Sequence, residues 1–198
     1  VWGLIAMEIS PQDFRDVQKL VRMLCGLVLT DDKTYLVRTR LESVVQSHGC
    51  STFSEYLGRL QQANAVLMRD ELVEALTTGE TSFNRDGHPF QTFKKLILKQ
   101  LADQMQLRGQ QTGFRPQARI WSAGCSTGQE PYSMAFAIHE FLTENPQLDL
   151  RPDHFSICAT DVSGRSLNFA KASRYSTRDV NRGVTTKQRA QFFRQSDD

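Results

Sequence analysis

Hydrophobic residues in the first third of the chain recur at helical spacing. Phe14, Val17, Leu20, Val21 and Leu24 form one stripe, and Ser10-Pro11-Gln12-Asp13 ahead of it supplies an N-cap serine, a proline at the first helical position and an acid in the first turn. Gly26 offers a stop. A second helix, capped by Asp31 or Asp32, carries Val37, Leu41, Val44 and Val45 on one face and ends near Gly49. A third starts at Thr52, whose spacing to Glu55 makes a capping box, with Phe53, Tyr56, Leu57 and Leu60 as its stripe. A fourth runs from about Ala65 to Leu76. Short amphipathic helices bury their stripes only against one another, so residues 7–76 read as a small all-helical domain.

Beyond Gly79 the pattern changes. Pro89 to about Gln106 is helical, with Phe90, Phe93, Leu96, Ile97 and Leu101 facing inward, and it leads through Gly109 and Gly113 into an apolar run at Ala118-Arg119-Ile120-Trp121-Ser122-Ala123. A glycine turn follows, then a helix from Pro131 to Leu142 broken by Asn145-Pro146. A second apolar run, His154 to Thr160, ends at Asp161 and precedes a helix from Ser163 to about Ser173. Strand, helix, strand, helix is the opening of a doubly wound α/β sheet. The domains expected are therefore the helical one, a linker motif with its connecting helix over 77–117, and the first part of an α/β domain over 118–198.

Composition narrows the classes. A hydrophobic content of 39% in 198 residues suits a soluble globular protein. The net charge of +2 is split unevenly: residues 1–78 hold 8 Lys/Arg against 10 Asp/Glu, and residues 79–198 hold 16 against 12. Neither part is basic enough to call for nucleic acid. The four cysteines, Cys25, Cys50, Cys125 and Cys158, form no C-x-x-C pair, so neither a metal site nor a disulfide framework is expected and reduced, cytoplasmic thiols are the default. The run Leu24 to Leu29 is too short to span a bilayer and no signal-peptide pattern precedes it, so no membrane insertion is expected. The chain begins at Val1, with Met7 just ahead of the first helix signal, and residues 1–6 read as lying upstream of the fold.

Three short motifs carry chemistry. In Gly124-Cys125-Ser126-Thr127-Gly128-Gln129-Glu130-Pro131-Tyr132 a strand ends in a glycine turn at a helix mouth, and the turn closes on a carboxylate where a phosphate site would have a lysine. That points to a cationic ligand. Gly124 and Gly128 allow close backbone approach, and Glu130 sits among exposed helix N–H groups, either against the ligand's cationic part or as a cap. Asp161, at the end of the second strand, is placed to accept from ribose hydroxyls or to cap the next helix. Upstream lies Thr77-Thr78-Gly79-Glu80-Thr81-Ser82-Phe83-Asn84-Arg85-Asp86. Ser122 and Ser126 flank the turn without a Gly-x-Ser-x-Gly elbow, which argues against a hydrolase.

The three motifs in this order, behind an all-helical segment, resemble the chemotaxis receptor methyltransferases, from about Ile9 to about Phe193. The resemblance implies an all-α N-terminal domain followed by a Rossmann-like S-adenosylmethionine-dependent methyltransferase domain, of which this chain looks like the first two-thirds. It implies methylation of receptor glutamates in the cytoplasm, with S-adenosylhomocysteine as product and the helical cytoplasmic domain of a chemoreceptor as partner. Thr81, Glu130 and Asp161 would hold the cofactor, with Gly79, Gly124 and Gly128 giving backbone approach. A planar guanidinium can grip a carboxylate, so Arg85 would orient the substrate's or the cofactor's carboxylate; an ion pair with Asp86 or Glu80 is the alternative. The family pattern reads Thr-Asn-x-Thr-x-Phe-Phe-Arg. Here Gly79 stands in place of the Asn, removing a side-chain hydrogen bond, and Asn84 replaces the second aromatic, thinning the apolar wall beside Arg85. Lys33, Arg38 and Arg40 would form either a receptor-facing positive face or an ordinary solvated one. A non-catalytic docking or regulatory module on the same fold is the other function class.

Overall fold

The computed structural model describes residues 7–113 and 117–196. Residues 1–6, read above as upstream of the fold, lie outside that set, as do the last positions of the 118–198 range. The chain divides into two compact units at Thr78 and Gly79.

The first unit is four helices, α1 Pro11–Cys25, α2 Thr34–Ser47, α3 Phe53–Leu60 and α4 Val66–Leu76. Local chemistry sets their ends. Ser10 Oγ accepts from the Asp13 N–H at 3.1 Å, and Gly26 closes α1 in the left-handed region at φ 75°. Thr52 caps α3 through the Glu55 N–H, but the Glu55 carboxylate reaches back to Ser51 N rather than to Thr52 N, so the expected box is shifted by one residue. Asp31 and Asp32 do not cap α2. They lie in a separate 3-10 turn, Asp31–Lys33, that leads into it. Val17, Val21, Val37, Leu41, Val45, Tyr56 and Leu72 are at most 1% exposed and make one core. Each such aliphatic side chain contributes about 1.5–3 kcal/mol by leaving water. Arg40 turns onto the end of α4, donating to the Leu76 carbonyl at 3.2 Å and to Thr78 Oγ1 at 3.1 Å, so it acts as a helix cap rather than as part of an outward basic face.

The second unit starts with a continuous helical run: α5 His88–Thr92, a π-helical turn Phe93–Ile97, and α6 Leu98–Thr112. The π turn changes which side faces inward. Leu96 is 58% and Ile97 41% exposed, while Leu98, Ala102 and Met105 are buried, because one extra residue in the turn rotates everything after it. An inward Leu96 and Ile97, expected from an unbroken 3.6-residue period, is therefore corrected.

Strands β1 Ala118–Ala123 and β2 Phe155–Thr160 pair in parallel, Ala118 opposite Phe155 and Ala123 opposite Thr160. His154 belongs to a 3-10 turn before β2, not to the strand. Between them runs α7 Gln129–Glu144, and after β2 come α8 Gly164–Ala172, α9 Thr177–Asn181 and α10 Thr186–Phe192. Ile138 and Phe141 of α7 pack with Leu98 and Ala102 of α6 and with Ile120 and Ile157 of the strands. Alternation sends Trp121 and Cys158 to the other face, where both are exposed.

Candidate functional site

The turn after β1 is tied to the end of β2. Gly124 N and Cys125 N both donate to the Thr160 carbonyl, at 2.8 and 2.9 Å. Asp161 comes next, and its carboxylate accepts from Ser126 N at 2.7 Å through Oδ2 and from Ser163 N at 2.9 Å through Oδ1. The cap of α8 is Ser163, whose Oγ accepts from Ser166 N, so Asp161 is not that helix's N-cap. Glu130 lies in the first turn of α7, and its Oε1 accepts from the buried Ser122 hydroxyl at 2.7 Å. Capping of α7 falls to Gly128, which has a φ of 95° and makes no side-chain cap bond. Burial pushes the Cys125 thiol up, and the charges of Asp161 and Glu130 push it further, which places both carboxylates within electrostatic reach of one buried sulfur.

The two glycines of the turn differ. A β-carbon at Gly124 would meet nothing within 4 Å, so the backbone there borders open space. At Gly128 it would lie 2.8 Å from both Ala170 Cβ and the Tyr175 hydroxyl, so the missing side chain at that position is required by the approach of α8.

The 79–87 loop docks on this framework through Phe83, which is 1% exposed. Its ring stacks on Phe136 at 6.0 Å and meets Tyr175 and Phe193 edge-on at 4.9 and 5.4 Å. Asn84, at φ 47°, donates its backbone N–H to Ser133 Oγ and its carboxamide to the Gly183 carbonyl and Gln188 Oε1. The position read as a thinned apolar wall is thus a polar anchor, and Asn is among the side chains that best tolerate a left-handed backbone. Gly79 is fixed from the other side, its carbonyl accepting from Ser126 Oγ at 2.7 Å. Thr81, half-buried, lies between these anchors. Arg85 follows Asn84 and is exposed; its guanidinium donates to the Glu80 carbonyl at 2.7 Å, while the Glu80 carboxylate pairs with Arg182 at 3.5 Å.

The all-α domain model of the CheR methyltransferases matches residues 12–77, and the model of the CheR methyltransferase S-adenosylmethionine-binding domain matches residues 79–198. The chain belongs to the CheR methyltransferase family. Among CheR-family relatives, "Chemotaxis protein methyltransferase 1" of Pseudomonas aeruginosa is 36% identical over 94% of this chain and 64% of its own length. The protein of that name from Vibrio cholerae is 36% identical over 98% of this chain and 66% of its length, and the Escherichia coli "Chemotaxis protein methyltransferase" is 28% identical over 94% and 58%. The chain thus spans between about half and two-thirds of the length of the curated relatives it matches. Its fold is that of the family, an all-α unit followed by a unit that matches the family's S-adenosylmethionine-binding domain.

The residues present fit that cofactor. A carboxylate has about four acceptor positions, so Asp161, with two taken by backbone N–H groups, retains capacity for hydroxyls, and Glu130 retains it for a cationic group. Among the described residues no cluster of side chains suits a metal ion, and no helix is long and apolar enough to cross a membrane. Ser122, Ser126 and Gly183 carry parts of this arrangement that the motifs did not point to. The two serines were visible beside the turn, but only a fold could show what their hydroxyls reach.

Proposed function

We propose that this chain binds S-adenosylmethionine and takes part in methyl transfer to glutamate side-chain carboxylates of bacterial chemoreceptors in the cytoplasm, with S-adenosylhomocysteine as product. One observation carries the reading: the 79–87 loop, the glycine turn and Asp161 are joined by hydrogen bonds at the carboxyl edge of a parallel strand pair, where open α/β sheets hold their ligands. When bound, the cofactor supplies an electrophilic methyl group. Asp161 would accept from the ribose hydroxyls and Glu130 would offset positive charge, while the backbone at Gly79 and Gly124 and the side chain of Thr81 would complete the cradle; Gly128, whose bare α-carbon is met by Ala170 and Tyr175, would serve by letting α8 pack against the turn. Arg85 grips a carboxylate and is the residue proposed to orient the reacting groups. No base is needed, because a glutamate with a pKa of about 4.3 is already ionised at neutral pH; alignment and exclusion of water are what the site must supply. In domain terms, residues 7–76 serve as the helical domain that meets the helical cytoplasmic region of the receptor, 77–117 as linker motif and connecting helix, and 118–198 as the opening of the cofactor domain.

Two measurements test this. Calorimetric titration with S-adenosylhomocysteine is expected to show saturable one-to-one binding, and its absence overturns the cofactor reading. Transfer of labelled methyl from S-adenosylmethionine to a receptor cytoplasmic fragment is expected to give a base-labile ester that disappears when the target glutamates become glutamine. Binding without transfer would favour the docking or regulatory reading instead.

A further inference from the structure

Ser126 sits where three segments cross. It is 4% exposed and holds a φ of 49°, in the left-handed region that a serine occupies only when its surroundings fix it there. Its N–H donates to Asp161 Oδ2 and its hydroxyl donates to the Gly79 carbonyl, both at 2.7 Å. Gly79 has no positive φ, so its backbone does not call for glycine. Space does, because a β-carbon there would lie 2.8 Å from Ser126 Oγ and 3.7 Å from Ser126 Cβ. A side chain at position 79 would therefore have to displace the hydroxyl.

We infer that Ser126 is a positioning residue whose hydroxyl latches the 79–85 loop to the glycine turn while its N–H holds Asp161, setting the cofactor-contacting groups of both segments at one spacing. The inference rests on the cofactor reading above for its ligand but not for the latch itself. Removing the hydroxyl leaves the Asp161 bond intact, since that bond comes from the main chain, and it frees one end of a loop whose other end stays seated by Phe83. The consequence falls on the pre-organisation of Gly79 and Thr81 more than on the core.

The test is a double-mutant cycle on the full chain, read by S-adenosylhomocysteine titration, by hydrogen exchange resolved over residues 79–87, and by melting temperature. Ser126→Ala is expected to weaken binding about fivefold, the worth of one net hydrogen bond, to speed exchange in 79–82, and to move the melting temperature little. Gly79→Ala on an exposed loop should act in the same direction in the unaltered chain by forcing the hydroxyl aside. In the Ser126→Ala background the added methyl meets only a β-carbon at ordinary contact distance, so Gly79→Ala should add little there. Effects that multiply, or a Ser126→Ala chain with unchanged affinity and exchange, overturn the latch. If Ser126→Ala does not fold, unchanged exchange and affinity in Gly79→Ala alone do the same. An unaltered chain that fails to bind S-adenosylhomocysteine defeats the cofactor reading instead, and the exchange measurements then decide the latch by themselves.

Discussion

Gly183, between α9 and α10, faces the main chain of Phe83 so closely that a β-carbon built on it would lie 1.8 Å from the Phe83 carbonyl oxygen and 2.8 Å from the carbonyl carbon. Both atoms are backbone and cannot swing away. Gly183→Ala must therefore push the 79–87 loop and the α9–α10 segment apart by roughly 2 Å to reach ordinary contact. Overpacking of this kind costs about 1–3 kcal/mol. The displacement also breaks the 2.8 Å bond from Asn84 Nδ2 to the Gly183 carbonyl, for about 1 kcal/mol more. A total of about 2–4 kcal/mol should lower the melting temperature of the second unit by roughly 8–15 °C. Gly58 is the control, an exposed position inside α3 with nothing within 4 Å of an added β-carbon and no positive φ. Gly58→Ala should stabilise by about 0.5–1 kcal/mol. Scanning calorimetry gives the stability of both variants, and hydrogen exchange shows whether the 79–87 loop alone has been released. A Gly183→Ala chain that melts within 1 °C of the unaltered one, with unchanged exchange at Phe83 and Asn84, would refute the close approach.

Arg85 is exposed, so Arg85→Ala should change stability by no more than about 0.5 kcal/mol, yet lower methyl transfer roughly 10–100-fold if its guanidinium grips a carboxylate. Arg85→Lys should not restore the planar grip, and an unchanged turnover rate in either variant refutes the role. Among the thiols, exposed Cys158 should react with a disulfide reagent at pH 8, while Cys50 and Cys125, both pushed up by burial, should react only in denaturant; fast native labelling of Cys125 would mean that the turn is open. Burial raises the Asp13 carboxyl, but hydrogen bonds from the side chains of Ser10 and Ser54 and from the Ser10 backbone outweigh it and hold the group below its ordinary range. Its contribution is thus present above the unfolded value of about pH 4 and lost as pH falls through the lower folded one. Asp13→Asn should flatten the acid limb of the urea midpoint measured from pH 2 to 5, and two parallel curves would count against the assignment.

What could be read from the chain alone is what depends on neighbours a few positions away. Ser10 with Asp13, Thr52 with Glu55 and the left-handed Gly26 all act within one helical turn, and their residue types announce them. The stripe Val37, Leu41, Val45 is visible for the same reason. The π turn at Phe93–Ile97 was hidden because a one-residue insertion leaves the residue types unchanged and alters only their phase. Glu130 and Asp161 were recognisable at strand ends, but the groups holding them, Ser122 and Ser126, are defined by where the chain returns in space. Gly183 gave no local signal at all, since its need for a bare α-carbon is imposed by Phe83.

The seating of Phe83 also has a consequence for the order in which the molecule is made. Among the described residues the core of the helical unit draws only on positions from Met7 to Leu76, so those helices can settle against one another while the rest is still being synthesised. The loop beginning at Gly79 cannot complete its seat so early. Its carboxamide partner is 99 positions further on, and its aromatic box closes only with Tyr175 and Phe193. A ribosome paused after the helical bundle has emerged but before Gly183 therefore carries a folded bundle followed by a loop that has met Ser126, Ser133 and Phe136 but lacks the far side of its seat.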